Sequence, residues 1–89
     1  MNVKVTKRFE RNFNSIHDPD VLEEIVTTIE SAQEASTVDD IPGIKKMRNY
    51  QNAYRIRIEN YRIGILYQSG STMEFVCVLH RSVVYKQFP

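Results

Sequence analysis

Residues 54–68 read Tyr-Arg-Ile-Arg-Ile-Glu-Asn-Tyr-Arg-Ile-Gly-Ile-Leu-Tyr-Gln, and no other stretch constrains the fold of this chain so tightly. Tyr54, Ile56 and Ile58 alternate with Arg55, Arg57 and Glu59, the two-residue period of a strand with one buried and one wet face. Glu59 and Asn60 break the run, and Tyr61, Ile63, Ile65 and Tyr67 resume it. A two-residue loop at Glu59-Asn60 predicts a hairpin in which Ile58 faces Tyr61, Arg57 faces Arg62, Ile56 faces Ile63 and Arg55 faces Gly64. Two arginines then lie directly across from each other, an arrangement that is unfavourable unless solvent or an anion screens the charges. Gly64 opposite Arg55 leaves the space between the guanidinium groups empty, so the hairpin is expected to carry an open cationic shelf. The alternative is that these arginines are ordinary solvent-face strand residues. Three of them on one face of one hairpin favour the shelf.

The length, 89 residues, is enough for one domain, 1–89, and too short for two. A chain with 42% hydrophobic and 26% charged residues is expected to fold rather than remain disordered. Its net charge of +1 conceals an uneven distribution. Residues 1–44 hold four basic against nine acidic residues, a net of −5, whereas residues 45–89 hold eight basic against two acidic, a net of +6. The second half is therefore expected to meet an anion, nucleic acid first among candidates, unless the two halves simply attract each other. Cys77 is the single cysteine, which rules out an intramolecular disulfide, and its place in the run Phe75-Val76-Cys77-Val78-Leu79 marks it as a buried thiol rather than a nucleophile. That run is too short to cross a membrane. No apolar segment of signal-peptide type follows the first residues, so the expected location is the cytoplasm.

Val3 and Val5 around Lys4 predict a short first strand. Thr6 is suited to cap a following helix, whose apolar stripe is Phe9, Phe13 and Ile16. His17 then falls in a loop, where it reads as a surface residue rather than a metal ligand. Asp18-Pro19 is a helix start, with Asp as the cap and Pro where its missing N–H costs nothing. Val21, Leu22, Ile25, Val26, Ile29 and Ala32 extend a wide stripe over residues 19–33, and the two helices are expected to pack as an antiparallel hairpin on one sheet face. Between residues 34 and 53 the periodicity is lost among turn formers, with Ile41, Ile44 and Met47 returning as isolated core contacts. Lys45, Lys46 and Arg48 extend the basic character toward the hairpin. After it, a three-residue turn, Ser69-Gly70-Ser71, sets Ile65 opposite Phe75 and Ile63 opposite Cys77. Strict alternation then puts Val76, Val78 and His80 on the arginine face, Val78 opposite Arg62 and His80 close to Arg57 and Arg62. One helical turn in the tail places Arg81 and Tyr85 on one side.

The short strand, the helical pair, the paired Tyr-Arg segments and the later Leu-His-Arg-Ser-Val-Val-Tyr resemble the RelE/ParE family of toxins from type II toxin–antitoxin systems. The resemblance spans the chain, with its specific part in residues 54–85. It implies an α/β (α+β) fold: a small twisted, mainly antiparallel sheet of about four strands with an N-terminal helical hairpin on one face. For the RelE-like branch, favoured here, it implies a ribosome-dependent endoribonuclease that cuts messenger RNA without metal or other cofactor, the RNA 2′-hydroxyl attacking the adjacent phosphate. It also implies a cognate antitoxin, ribosome and mRNA as partners, no membrane, and a hetero-oligomeric complex with the antitoxin.

By the same resemblance Arg62 and Arg81 hold phosphate and Tyr85 acts in catalysis, while Arg55 and Arg57 occupy basic strand positions where the best-known ribonucleases carry lysine. With Lys45, Lys46 and Arg48 they form the expected RNA-phosphate-binding set. A guanidinium does not give up its proton, so Arg55 and Arg57 cannot be the base. Tyr85 and His80 remain, and His80 reads equally well as a strand-end residue capping the sheet. A ParE-like inhibitor of DNA gyrase and an inactive antitoxin-binding relative are the alternatives; His80, Arg81 and Tyr85 together favour the ribonuclease.

Overall fold

The computed structural model describes residues 1–68 and 70–89. Along the chain the elements are β1 (Asn2–Val5), α1 (Lys7–Asn14), α2 (Pro19–Glu34), a 3-10 turn (Val38–Asp40), β2 (Ile44–Lys46), β3 (Ala53–Ile58), β4 (Tyr61–Gln68), β5 (Thr72–His80) and α3 (Val84–Gln87). The strands form one sheet in the order β1-β5-β4-β3-β2, with β1 parallel to β5 and every other pair antiparallel. The hairpin register is the predicted one in all four pairs, Arg57 opposite Arg62 and Arg55 opposite Gly64 among them.

The sheet has five strands rather than the expected four. Ile44 pairs with Ile56, Lys45 with Arg55 and Lys46 with Tyr54, so the edge of β3 makes a strand of three residues that are too few to display a period of their own. Ile41 is buried and Ile44 packs on the main core, as expected of isolated contacts.

Both helix starts follow from their caps. Thr6 Oγ1 accepts from the Phe9 N–H at 3.0 Å, and Asp18 Oδ1 accepts from the N–H groups of Asp20 and Val21. The expected helical hairpin differs in detail. Each helix is seated mainly on the sheet, α1 along β5 and α2 across β1 and β3, because an eight-residue helix has too little surface to bury its stripe on α2 alone. Phe9 instead meets Phe75 edge to face at 5.9 Å. Beyond Val5, α1 takes the place of β1 beside β5: the Thr6 hydroxyl donates to the Val76 carbonyl at 2.7 Å, and Asn12 Oδ1 accepts from the Val78 N–H at 3.2 Å. Strand groups that β1 no longer reaches are thereby satisfied.

Apolar packing occupies both faces of the sheet. Between the helices and the sheet lie Ile25 of α2 and Ile56, Ile63, Ile65, Met73, Phe75 and Val78 of the strands. On the other face Ala53, Cys77, Val84 and Phe88 are buried together, with Met47, Leu66, Val76 and Leu79 packed around them. This second cluster was not anticipated, because the tail that completes it is short and has no apolar period.

The register of β4 against β5 begins as predicted, Gln68 opposite Thr72 and Ile65 opposite Phe75. Of the predicted turn, Ser69 lies outside the described residues; Gly70 and Ser71 take positive φ. Past Ile65 the register slips by one residue, giving Gly64 opposite Cys77, Ile63 opposite Val78, Arg62 opposite Leu79 and Tyr61 opposite His80. The predicted pairs Ile63 with Cys77 and Arg62 with Val78 are therefore corrected by a β-bulge that takes up Val76. Five consecutive apolar residues carry no parity signal, and both faces have a core to accept them. The bulge sends Phe75 and Val78 to one face and Cys77 and Leu79 to the other.

Candidate functional site

Arg55 lies half-buried on β3, between Lys45 on β2 and Gly64 on β4. The space over Gly64 is filled rather than open. A Cβ there would stand 2.7 Å from the Phe88 ring and 2.9 Å from Cys77 Sγ, so only glycine lets the tail lie on the sheet. The cationic shelf is corrected further at Arg62, which is only 5% exposed. Its Nη1 donates to the carbonyls of Glu59 at 3.0 Å and Tyr61 at 2.8 Å. Glu59 has φ of +52°, a left-handed conformation costly for a side chain with a Cβ, and the guanidinium ties that turn down. Arg62 is thus a structural group of the hairpin. Arg62→Ala should lower stability by about 2–3 kcal/mol, since bonds to a charged donor each contribute about 1.5–3 kcal/mol. Urea unfolding monitored by circular dichroism measures this.

The bulge also relocates His80. Its register partner is Tyr61, on the helix-bearing face with Ile58 and the main core, rather than on the face of Arg57 and Arg62. The imidazole meets the Tyr61 ring edge to face at 5.7 Å, and Nδ1 accepts from the Ser82 N–H at 3.1 Å and lies 2.8 Å from Ser82 Oγ. This is the geometry of a strand-end cap. Arg81 is exposed in the turn after β5, its N–H bonded to the Asn60 carbonyl at 2.7 Å. Helix α3 starts only at Val84, so Arg81 and Tyr85 do not share a helical face as expected. Arg57 is exposed and lines a separate cleft of about 320 Å³ with Glu24, Thr28 and Gly43. Lys45 is exposed beside Arg55.

What the fold brings together is a groove of about 460 Å³ between the β2–β3 connection and the C-terminal tail. Lys46, Arg48 and Arg55 line it with positive charge, Tyr50 and Tyr85 with aromatic hydroxyls, and Met47, Phe88 and Pro89 with apolar surface; among the described residues no acidic side chain lines it. Tyr85 is 54% exposed, yet it is held between two anchors of the second core, Val84 at 1% and Phe88 at 4%. Arg8 on α1 donates to Gln87 Oε1 at 3.0 Å, a further tie on α3. Such a groove can hold a phosphodiester among cations and offer it a group that exchanges a proton. Tyr50 and Phe88 were missed from the sequence, the first because its neighbours read only as a turn, the second because its partner, Gly64, lies far away in the chain.

Cys77 is buried beneath this groove, a free thiol as expected. Burial pushes its titration up, and the charge of Arg8 and a bond to the Gly64 backbone only partly offset that. It stays neutral at physiological pH and is a poor nucleophile.

A small mixed sheet with α1 and α2 on one face and a cation-lined groove beside the C-terminal tail on the other is a compact α+β module with a surface suited to an anion. No protein-family model matches the chain. It is 40% identical over its full length to a protein of Methanocaldococcus jannaschii named Toxin RelE3, which it also covers completely. Its fold matches the crystal structure of a RelB–RelE antitoxin–toxin complex from Methanococcus jannaschii with a TM-score of 0.79 at 36% identity, over 97% of this chain and 99% of that one. An archaeal RelE–RelB complex from Pyrococcus horikoshii OT3 shares the fold with a TM-score of 0.73 at 13% identity, over 93% and 97%. The chain belongs to the RelE/ParE family of toxins, on its RelE-like side. Among the described residues no helix is long and apolar enough to cross a membrane.

Proposed function

We propose that the chain is the toxin of a toxin–antitoxin pair and acts in the cytoplasm as a ribosome-dependent endoribonuclease on messenger RNA. The observation that carries this reading is the groove itself, where the exposed Tyr85 shares a lining with Lys46, Arg48 and Arg55 and no acidic side chain is present among the described residues that line it. In the proposed reaction the RNA 2′-oxygen bonds to the adjacent phosphorus and the bond to the leaving 5′-oxygen breaks, giving a 2′,3′-cyclic phosphate and a 5′-hydroxyl. The cations stabilise charge that builds up on the phosphate oxygens, the kind of preorganised electrostatics that dominates such catalysis. Tyr85 takes the proton from the 2′-hydroxyl. Lys46, the lysine of the groove, can donate the proton the leaving oxygen needs, which a guanidinium cannot. Arg57, Arg81 and Lys45, exposed outside the groove, extend the track for neighbouring phosphates. Primer extension on cellular messages after induction tests the reading. Cuts inside reading frames are expected; intact messages with broken DNA would place the protein with the gyrase inhibitors instead.

The partner in this proposal is an antitoxin, as in the complexes whose toxin chains share this fold. It docks on a second groove, about 370 Å³ between α1 and α2, where Val5 and Val26 stay 42% and 46% exposed beside Phe9, Phe13 and Ile29. An amphipathic helix would bury that apolar surface. Val26→Glu should weaken antitoxin binding at least tenfold in a calorimetric titration, on the order of 1.4 kcal/mol, and leave cleavage unchanged. Undiminished binding would move the interface elsewhere.

A further inference from the structure

The five tyrosines fall into two groups. Tyr54, Tyr61 and Tyr67 pack against the main core and have aromatic neighbours, Tyr54 with Tyr67 at 6.5 Å and Tyr61 with His80 at 5.7 Å. Tyr50 and Tyr85 pack into neither core cluster, and both line the same basic groove, from opposite walls: the β2–β3 connection and α3. Tyr50 is 47% exposed, and its hydroxyl has no hydrogen-bond partner among the described residues. Its backbone, by contrast, is set: the Tyr50 N–H bonds to the Met47 carbonyl at 3.4 Å, and Asn49 supplies the positive φ of 70° that such a turn needs and that asparagine tolerates. Arg48 lines the groove from the same connection and Lys46 from the end of β2 just before it.

We infer that Tyr50 is a stacking platform for a nucleobase of the RNA strand, one whose adjoining phosphates are held by Lys46, Arg48 and Arg55. The inference rests on the ribonuclease reading and adds to it a base-binding subsite. Single-stranded RNA is recognised by splaying out bases onto aromatic faces while cations follow the backbone, and residues 46–50 carry both elements. The two tyrosines divide the work by different atoms. Tyr85 contributes its hydroxyl to proton transfer, and Tyr50 contributes its ring.

That division supplies the test. Short single-stranded RNAs carrying a 2′-deoxy sugar at the cleavage position, so that binding is read without reaction, are titrated against the parent, Tyr50→Leu and Tyr50→Phe. The leucine variant should bind about tenfold more weakly, and the phenylalanine variant should restore the affinity. With an RNA that has an abasic nucleotide at the stacked position, the parent should lose the same factor and Tyr50→Leu should cost nothing further. In ribosomal cleavage assays Tyr50→Leu should be impaired and Tyr50→Phe restored, the reverse of what a hydroxyl-dependent residue shows. Equal binding by Tyr50→Leu, or an equal loss on base-containing and abasic RNA, overturns the platform while parental cleavage leaves the ribonuclease reading standing. A parent that leaves ribosome-bound messages intact overturns both.

Discussion

Replacing Tyr85 by phenylalanine should slow messenger RNA cleavage by about 10²- to 10⁴-fold, the usual contribution of a positioned proton-transfer group. The substitution removes one hydroxyl and keeps the ring. Tyr85 is 54% exposed, and α3 is held by Val84 and Phe88 rather than by the tyrosine, so the folded protein and its groove should be unchanged. Antitoxin binding and ribosome binding should therefore survive while toxicity largely disappears. Single-turnover cleavage on programmed ribosomes separates this outcome from lost binding. His80→Gln is the control. His80 lies on the helix-bearing face with its Nδ1 engaged by Ser82, so that variant should cleave like the parent. Full cleavage by Tyr85→Phe would remove this residue from the chemistry.

Phe88→Ala should be the most damaging change outside the groove chemistry. Phe88 is 4% exposed, packs with Ala53, Cys77 and Val84, and lies against Gly64 where no Cβ fits. Truncating a buried phenylalanine costs about 3–5 kcal/mol, a large part of the roughly 5–15 kcal/mol that holds a domain together. The second core should loosen and α3 detach, carrying Tyr85 away from Lys46, Arg48 and Arg55. Guanidinium unfolding should show the lost stability, and amide exchange should speed up first at residues 84–88. Cleavage should fall with it. Gly64→Ala approaches the same end from the opposite side: its methyl group would displace the Phe88 ring, and overpacking of that kind costs about 1–3 kcal/mol. If either variant keeps parental cleavage, the tail does not position the site.

The hairpin, both helix starts and the buried thiol were legible in the sequence because each depends on information that is local. Period-two alternation dictates which residues of β3 and β4 share a face, a cap acts within three residues of itself, and a lone cysteine amid apolar neighbours has little choice of environment. The family was legible too, through the spacing of the Tyr-Arg pairs and the later His-Arg-x-x-x-Tyr. Tertiary structure alone decided the rest. Strand β2 exists because the edge of β3 pairs with it; the bulge at Val76 exists because Phe75-Val76-Cys77-Val78-Leu79 satisfies either parity and two cores compete for it. That single residue of slippage removed His80 from the arginine face. Arg62 looked like a free cation and proved to be buried on turn carbonyls, since sequence reports that a charge is present and not whether the backbone has already claimed it. The groove follows the same logic. Tyr85 is distant in the chain from Tyr50 and Arg55 and meets them only after Phe88 closes over Gly64, a contact between positions 64 and 88 that no local pattern encodes.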